Sequence, residues 1–160
     1  MSNNALTRYI PTSTGDIDLV TVRHNRKRYP RVADTPEAEA LQVLGGLIQT
    51  VLMLRSESLD AAPQAYTASA VLDFIKRDPA FHDIAWVEVA QAFKNGALEA
   101  YGPFYKTSAA KLIWALRMWR ESPEVVDAVS TAQAQARRPR ATEAIPDTAI
   151  EALVGHFTDY

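Results

Sequence analysis

"TPEAEALQVLGGLIQTVLMLR", residues 35–55, decides the fold class. Thr35 stands where a capping hydroxyl is wanted. Pro36 takes the first helical position, where its missing N–H does no harm, and Glu37 and Glu39 meet the positive end of the helix dipole. Leu41, Leu44, Ile48, Leu52 and Arg55 recur at helical spacing on one face, and Val43, Leu47, Val51 and Leu54 on the next. A helix apolar over so wide an arc is buried on several sides, so this segment reads as the central core helix. Gly45 and Gly46 in its middle each lower helix stability by about 1 kcal/mol relative to alanine. Close approach of another helix would offset that loss.

Similar signals recur towards the C-terminus. A second helix is expected from near Thr67, burying Val71, Leu72, Phe74 and Ile75 and stopping at Asp78-Pro79. A third opens with Asp83 as its cap, carries Ile84, Trp86, Val87, Ala90 and Phe93, and ends at Asn95-Gly96 with a left-handed glycine. "ALEAYGPFY" (97–105) makes a turn, after which Thr107 or Ser108 caps a fourth helix running to Glu121. "VVDAVSTAQAQARRPRATEA" (125–144) then drifts from helix into an Ala/Gln/Arg linker. In "PDTAIEALVGHF" (146–157), Ile150, Leu153, Val154 and Phe157 form the stripe of a short amphipathic helix that needs a surface to dock on.

Towards the N-terminus, "DIDLVTVR" (16–23) has the β-branched content of one strand but no second strand to pair with, so an extended arm is expected. No internal repeat is present. The fold class expected is all-α: a compact bundle of four to six helices with an irregular basic N-terminal arm and a C-terminal amphipathic helix. Its divisions are an extended basic arm over 1–34, a helical core domain over 35–128, a linker over 129–144 and a C-terminal helix or peptide over 145–160.

Several function classes fall away. A chain of 160 residues can bury roughly two-thirds of its unfolded surface without staples, and with no cysteine it has no disulfide, no thiolate nucleophile and no cysteine zinc site. His24, His82 and His156 stand in separate segments with no carboxylate or second histidine at ligand spacing, so neither metal nor cofactor is expected. Glu37 and Glu39 lie two apart and face different directions on a helix, which prevents cooperation as acid and base. No nucleophile elbow and no glycine-rich phosphate loop is found. The expectation is a protein that is not an enzyme. "MSNNALTRYIPTSTGD" lacks the pattern of a signal peptide, and apolar runs such as "VLML" are far shorter than a membrane span. A cytoplasmic location and no membrane partner are therefore expected.

The net charge of −2 hides a segregation into +4 over 1–31, −6 over 32–100, +4 over 101–140 and −4 over 141–160. Such blocks either complement one another across the folded surface or leave a local patch for phosphates. "RHNRKRYPR" gathers Arg23, Arg26, Lys27, Arg28 and Arg31 around Tyr29, and "RRPR" supplies Arg137, Arg138 and Arg140. On the fourth helix Ala109, Leu112, Ile113, Leu116 and Trp119 mark the core face. Lys111, Trp114, Arg117 and Arg120 follow at steps of three on the remaining arc, with Lys106 in the loop ahead. A cationic arc bearing an indole holds phosphates by charge while the ring stacks on a base or sugar. Thr107 and Ser108 would add hydroxyls and backbone N–H groups at the helix start. The competing expectation has Trp114 packed with Met118 against another helix and the cations merely solvated. The connection between the two helices exceeds the three- or four-residue turn of a helix-turn-helix, so the unit is only helix-turn-helix-like.

"AFKNGALEAYGPFYKTSAAKLIWALRMW" (92–119) resembles a pattern in small uncharacterised helical proteins of bacterial phages and mobile elements. The shared outline is an alanine-phenylalanine helix end, a glycine, tyrosine-glycine, then a helix carrying a tryptophan, matched here by Phe93, Gly96, Tyr101, Gly102 and Trp119. The resemblance implies association with a DNA replication module, as a replication accessory or helicase-loader-like protein. It carries over no active residues. With the basic segments, it leads to the expectation of a non-enzymatic nucleic-acid-associated accessory protein that also touches a protein partner. One alternative is a protein-binding adaptor or inhibitor using the acidic 32–100 block and a C-terminal helix that lays Ile150, Leu153, Val154 and Phe157 into a partner's groove. Another is a self-assembling helical protein, a homo-oligomer joined through apolar faces of the core helix.

Overall fold

A computed structural model of the chain describes residues 4–11 and 18–137. These residues are all-α, with seven α-helices, one 3-10 turn and no strand among them. At the centre lies α3 (Glu37–Leu54), which buries Ala40, Val43, Leu44, Leu47, Ile48, Val51 and Leu52. It packs on α1 (Asn4–Tyr9), α4 (Ala61–Arg77) and α5 (Trp86–Ala97). By length and composition alone α3 is apolar enough to cross a membrane. Seven of its residues are buried against the neighbouring helices, while Met53 and Leu54 at its end are exposed.

The cap of α3 differs from the one expected. Pro36 has φ −56 but an extended ψ of 143, so it is the residue before the helix and not its first turn. That releases the Thr35 hydroxyl, which donates to the Arg31 carbonyl at 2.8 Å and accepts from Trp86 Nε1 at 2.8 Å. Of the two glycines, Gly46 meets a neighbour: a Cβ there would stand 2.8 Å from Leu6 Cδ1 of α1. Gly45 faces open space.

α4 starts at Ala61, earlier than expected, because Pro63 in its first turn has no N–H to leave unsatisfied. Thr67 is inside the helix and turns its hydroxyl onto the Pro63 carbonyl at 2.8 Å. The stop at Asp78 is where it was expected, and the Asp78 carboxylate accepts from Ala80 N at 2.9 Å to begin the 3-10 turn Pro79–Phe81. α5 is not capped by Asp83. Its N-terminus is closed by Glu88, whose Oε2 accepts from Ala85 N at 2.9 Å. Nor does α5 end at Asn95-Gly96: Gly96 is a buried helical residue, where a Cβ would lie 2.8 Å from Ala115 Cβ of α6 (Ala109–Glu121). The glycine serves the close approach of two helices. The chain leaves α5 through Glu99 at φ 61 and Gly102 at φ 120.

Ser108 caps α6, its Oγ accepting from Lys111 N at 3.2 Å, and the helix ends at Glu121 as expected. α7 (Pro123–Arg137) then continues across the expected linker boundary at 129, burying Val125 and Ala128 and packing on α6 and on α2 (Leu19–His24). α2 replaces part of the expected extended arm. The Asp18 carboxylate accepts from Val20 N at 3.1 Å and from the Thr21 hydroxyl at 2.8 Å, a cap strong enough to overcome the β-branched content. These hydrogen bonds, the Thr21 hydroxyl foremost, hold the Asp18 carboxyl below its ordinary pKa. Arg138, Arg140 and His156, and the expected C-terminal helix with Ile150, Leu153, Val154 and Phe157, lie outside the described residues.

Candidate nucleic-acid interface

The basic segment 23–31 divides by burial. Arg23 of α2 sends NH2 to Glu88 Oε1 at 2.6 Å, with side-chain exposures of only 7% and 1% for the two residues. The same carboxylate oxygen lies 3.4 Å from Trp119 Nε1. Arg31 is fully buried; its guanidinium donates to the carbonyls of Tyr29 at 2.6 Å and Arg23 at 2.8 Å, and its Nε stands 3.6 Å from Asp83 Oδ1. Burial pulls the Arg31 guanidinium below its ordinary pKa, against the attraction of Asp83 and Glu88. Arg26 is more exposed and is bound by Asp83, with Asp34 at 3.5 Å; its hydrogen bond to Asp83 raises its pKa. Contrary to the expectation that they take phosphates, the side chains of Arg23 and Arg31 are buried against carboxylates and carbonyls and leave no exposed face for a ligand. Lys27 and Arg28 remain exposed, Arg28 lying over the ring of Tyr29 at 5.6 Å.

On α6 the core face is Leu112, Ala115, Leu116 and Trp119, all buried. Each three-residue step falls roughly 60° short of a full turn, so Lys111, Trp114, Arg117 and Arg120 spread over the whole outer half of the helix. Two groups result. Arg117 lies over the ring of Phe74 of α4 at 5.1 Å, and Arg120 donates Nε to the Ala80 carbonyl at 3.2 Å. At the other end, Lys111 Nζ donates to the Pro103 carbonyl at 3.3 Å and stands 4.4 Å from the ring of Trp114 and 5.7 Å from that of Tyr105. Trp114 is half-buried and meets Tyr101 edge-on at 6.1 Å. Burial raises the Tyr101 hydroxyl above its ordinary pKa, Asn95 opposing and Glu124 adding. Lys106 is exposed.

The loop that leads into α6 is anchored from below. Arg55, at the end of α3, donates NH1 to the Ala97 carbonyl at 2.8 Å and NH2 to the Tyr105 carbonyl at 3.0 Å, with its guanidinium 4.8 Å from the ring of fully buried Phe104. Glu57 accepts from both Thr107 N, at 3.1 Å, and Thr107 Oγ1, at 2.6 Å, and pairs with Arg55 Nε at 3.3 Å. Burial by itself would push the Glu57 carboxyl up, but the Thr107 donors and Arg55 bring it net below its ordinary range. Thr107 is thus buried under Glu57 and faces inward, not towards a ligand. Between Phe104 and Thr107 the chain projects Tyr105, 78% exposed, from a backbone at φ 54.

Lys106, Lys111, Trp114 and Arg117 lie on and ahead of α6 where the sequence places them, and Tyr105, expected only as part of the turn, is the exposed ring of the loop. The Arg55–Glu57 anchor was not expected, because no local pattern exists for it; the only available signal was an arginine closing an otherwise apolar helix. No group of histidine, aspartate and glutamate arranged to hold a metal occurs among the described residues. Comparisons with known protein families, curated proteins and solved structures find no match to this chain.

Proposed function

We propose that this is a non-enzymatic nucleic-acid-associated accessory protein, of the kind that serves replication or regulation in phages and mobile elements. Phosphates would be held along the outer half of α6 and the loop before it. One observation carries the reading: from Ala100 to Arg120 the chain has Lys106, Lys111, Arg117 and Arg120 and no Asp or Glu, and Lys111 on the outer half of α6 stands 4.4 Å from the ring of half-buried Trp114. Cations flanking an aromatic face suit a phosphate backbone with accessible bases. Exposed Lys27 and Arg28 supply further charge. The resemblance of residues 93–119 to proteins of phages and mobile elements supports the biological setting.

The test is a low-salt gel-shift titration with the full chain and with the double variant Lys106→Ala, Arg117→Ala. Both side chains are exposed, so the variant should fold and bind at least ten-fold more weakly. Absence of any complex with the unaltered chain removes the reading.

A protein partner is favoured by a separate observation. Met53, Leu54 and Leu98 are exposed by 76%, 48% and 58%, and Arg55 ties the end of α3, which carries the first two, to the end of α5, which Leu98 follows. Exposed apolar groups gathered in this way suit a protein contact. Replacing Met53 and Leu98 together by serine should abolish capture of such a partner while leaving nucleic-acid binding intact.

A further inference from the structure

We infer that the surface takes single-stranded in preference to duplex nucleic acid, with the ring of Tyr105 as the platform for an unpaired base; this rests on the nucleic-acid reading above. Tyr105 holds φ 54, a conformation a bulky L-residue keeps only where its surroundings impose it. The surroundings do so. Arg55 fixes the Tyr105 carbonyl, Phe104 on one side is fully buried, and Thr107 on the other is held by Glu57. Phe104 and Thr107 serve the fold, whereas the ring between them is 78% exposed, with the Lys111 ammonium 5.7 Å from its centre.

That ammonium also lies 4.4 Å from the Trp114 ring, so a single cation stands beside two aromatic rings, with exposed Lys106 next to Tyr105 in the chain. In a duplex the faces of the bases are stacked on one another and only their edges are presented. A projecting ring therefore gains nothing from a duplex, while an unpaired base offers its face to the ring and its phosphate to the lysines. An apolar protein segment would be poorly matched to a ring bordered by Lys106 and Lys111. Glu99, the acid of the same loop, accepts from Phe104 N at 3.3 Å and stands 3.9 Å from Arg55, which offsets its charge.

The experiment is fluorescence anisotropy with a labelled oligonucleotide of mixed sequence, used single-stranded and then annealed to its complement. The proteins are the full chain, Tyr105→Gly and Tyr105→Phe. Glycine is at ease at positive φ and phenylalanine keeps the ring, so circular dichroism should show both variants folded. The single strand should bind more tightly than the duplex. Tyr105→Gly should lose about ten-fold on the single strand and little on the duplex, and Tyr105→Phe should retain affinity. Trp86 and Trp119 are buried, so quenching of tryptophan emission by the single strand should come from Trp114 and vanish in Trp114→Phe. Equal binding of both oligonucleotides, or a Tyr105→Gly chain that binds the single strand like the unaltered one, overturns the inference and leaves the nucleic-acid reading standing. Failure to bind either oligonucleotide overturns both. A concentration-dependent mass in light scattering that Tyr105→Gly abolishes would assign the ring to a second copy of the chain, and also overturns it.

Discussion

Gly45 and Gly96 are both helical glycines, yet one added methyl group should act on them in opposite directions. At Gly45 a Cβ meets nothing within 4 Å, so Gly45→Ala should stabilise the fold by about 0.5–1 kcal/mol through helix propensity. At Gly96 the Cβ would stand 2.8 Å from Ala115 Cβ and 3.4 Å from Phe104 Cε2, neither of which is the end of a flexible side chain. Gly96→Ala should therefore destabilise by about 1–3 kcal/mol, read from the urea midpoint. Glu57 makes a prediction about pH. Its folded pKa lies below the ordinary 4.5, so its stabilising contribution is complete above 4.5 and is lost as pH falls through the lowered folded value. Thermal midpoints followed downward from neutral pH should drop more steeply for the unaltered chain than for Glu57→Gln. If the two curves run parallel, the anchor contributes nothing to acid stability.

Helices α2, α5 and α6 meet at one carboxylate: Glu88 of α5 receives Arg23 of α2 and faces the indole N–H of Trp119 of α6. Removing one partner of a buried pair leaves an uncompensated charge, so Glu88→Ala should destabilise by about 3–5 kcal/mol. Replacing both members, as Arg23→Met with Glu88→Leu, should lose less than Glu88→Ala alone, because Arg23 is then not left as a buried charge without its carboxylate. Denaturant titration of the three chains checks the order. Helices α3 to α6 were readable in sequence, whereas α1 and α2 fall where an extended arm was expected. The cap at Ser108, the stop at Asp78, the end of α6 at Glu121 and the buried face of α3 all depend on residues within a turn or two of one another. Gly96 was misread because the signals for a helix end and for a close helix crossing are the same residue. Only the position of Ala115 separates them.

Among the described residues, the first basic block and the acidic block meet one another. Asp34, Asp83 and Glu88 of the acidic block hold Arg23, Arg26 and Arg31 of the first basic block, and Glu57 and Glu99 lie against Arg55 within the acidic block itself. Of the second basic block, Lys106 and Arg117 are exposed, while Lys111 and Arg120 are half-buried and donate to backbone carbonyls. Binding that uses Lys106, Lys111 and Arg117 should weaken with salt at a log–log slope of about −2 on a single strand. A much steeper slope would mean that exposed Lys27 and Arg28 also take phosphates, which Lys27→Ala with Arg28→Ala would then reduce.

Helical periodicity and capping are encoded within four or five residues, and for that reason the all-α class, the central helix and the core face of α6 could be read directly from the amino-acid order. The fate of each charge and ring could not. Arg23 finds its carboxylate 65 residues away, and Thr107 finds Glu57 at a separation of 50. Whether an arginine ends in a buried pair or in water, and whether Phe104 or Tyr105 faces out, depends on which distant segments pack beside it. Packing of α3, α5 and α6 buried Phe104 and Thr107, and so left Tyr105 projecting beside Lys111 and Trp114 as the molecule's candidate contact.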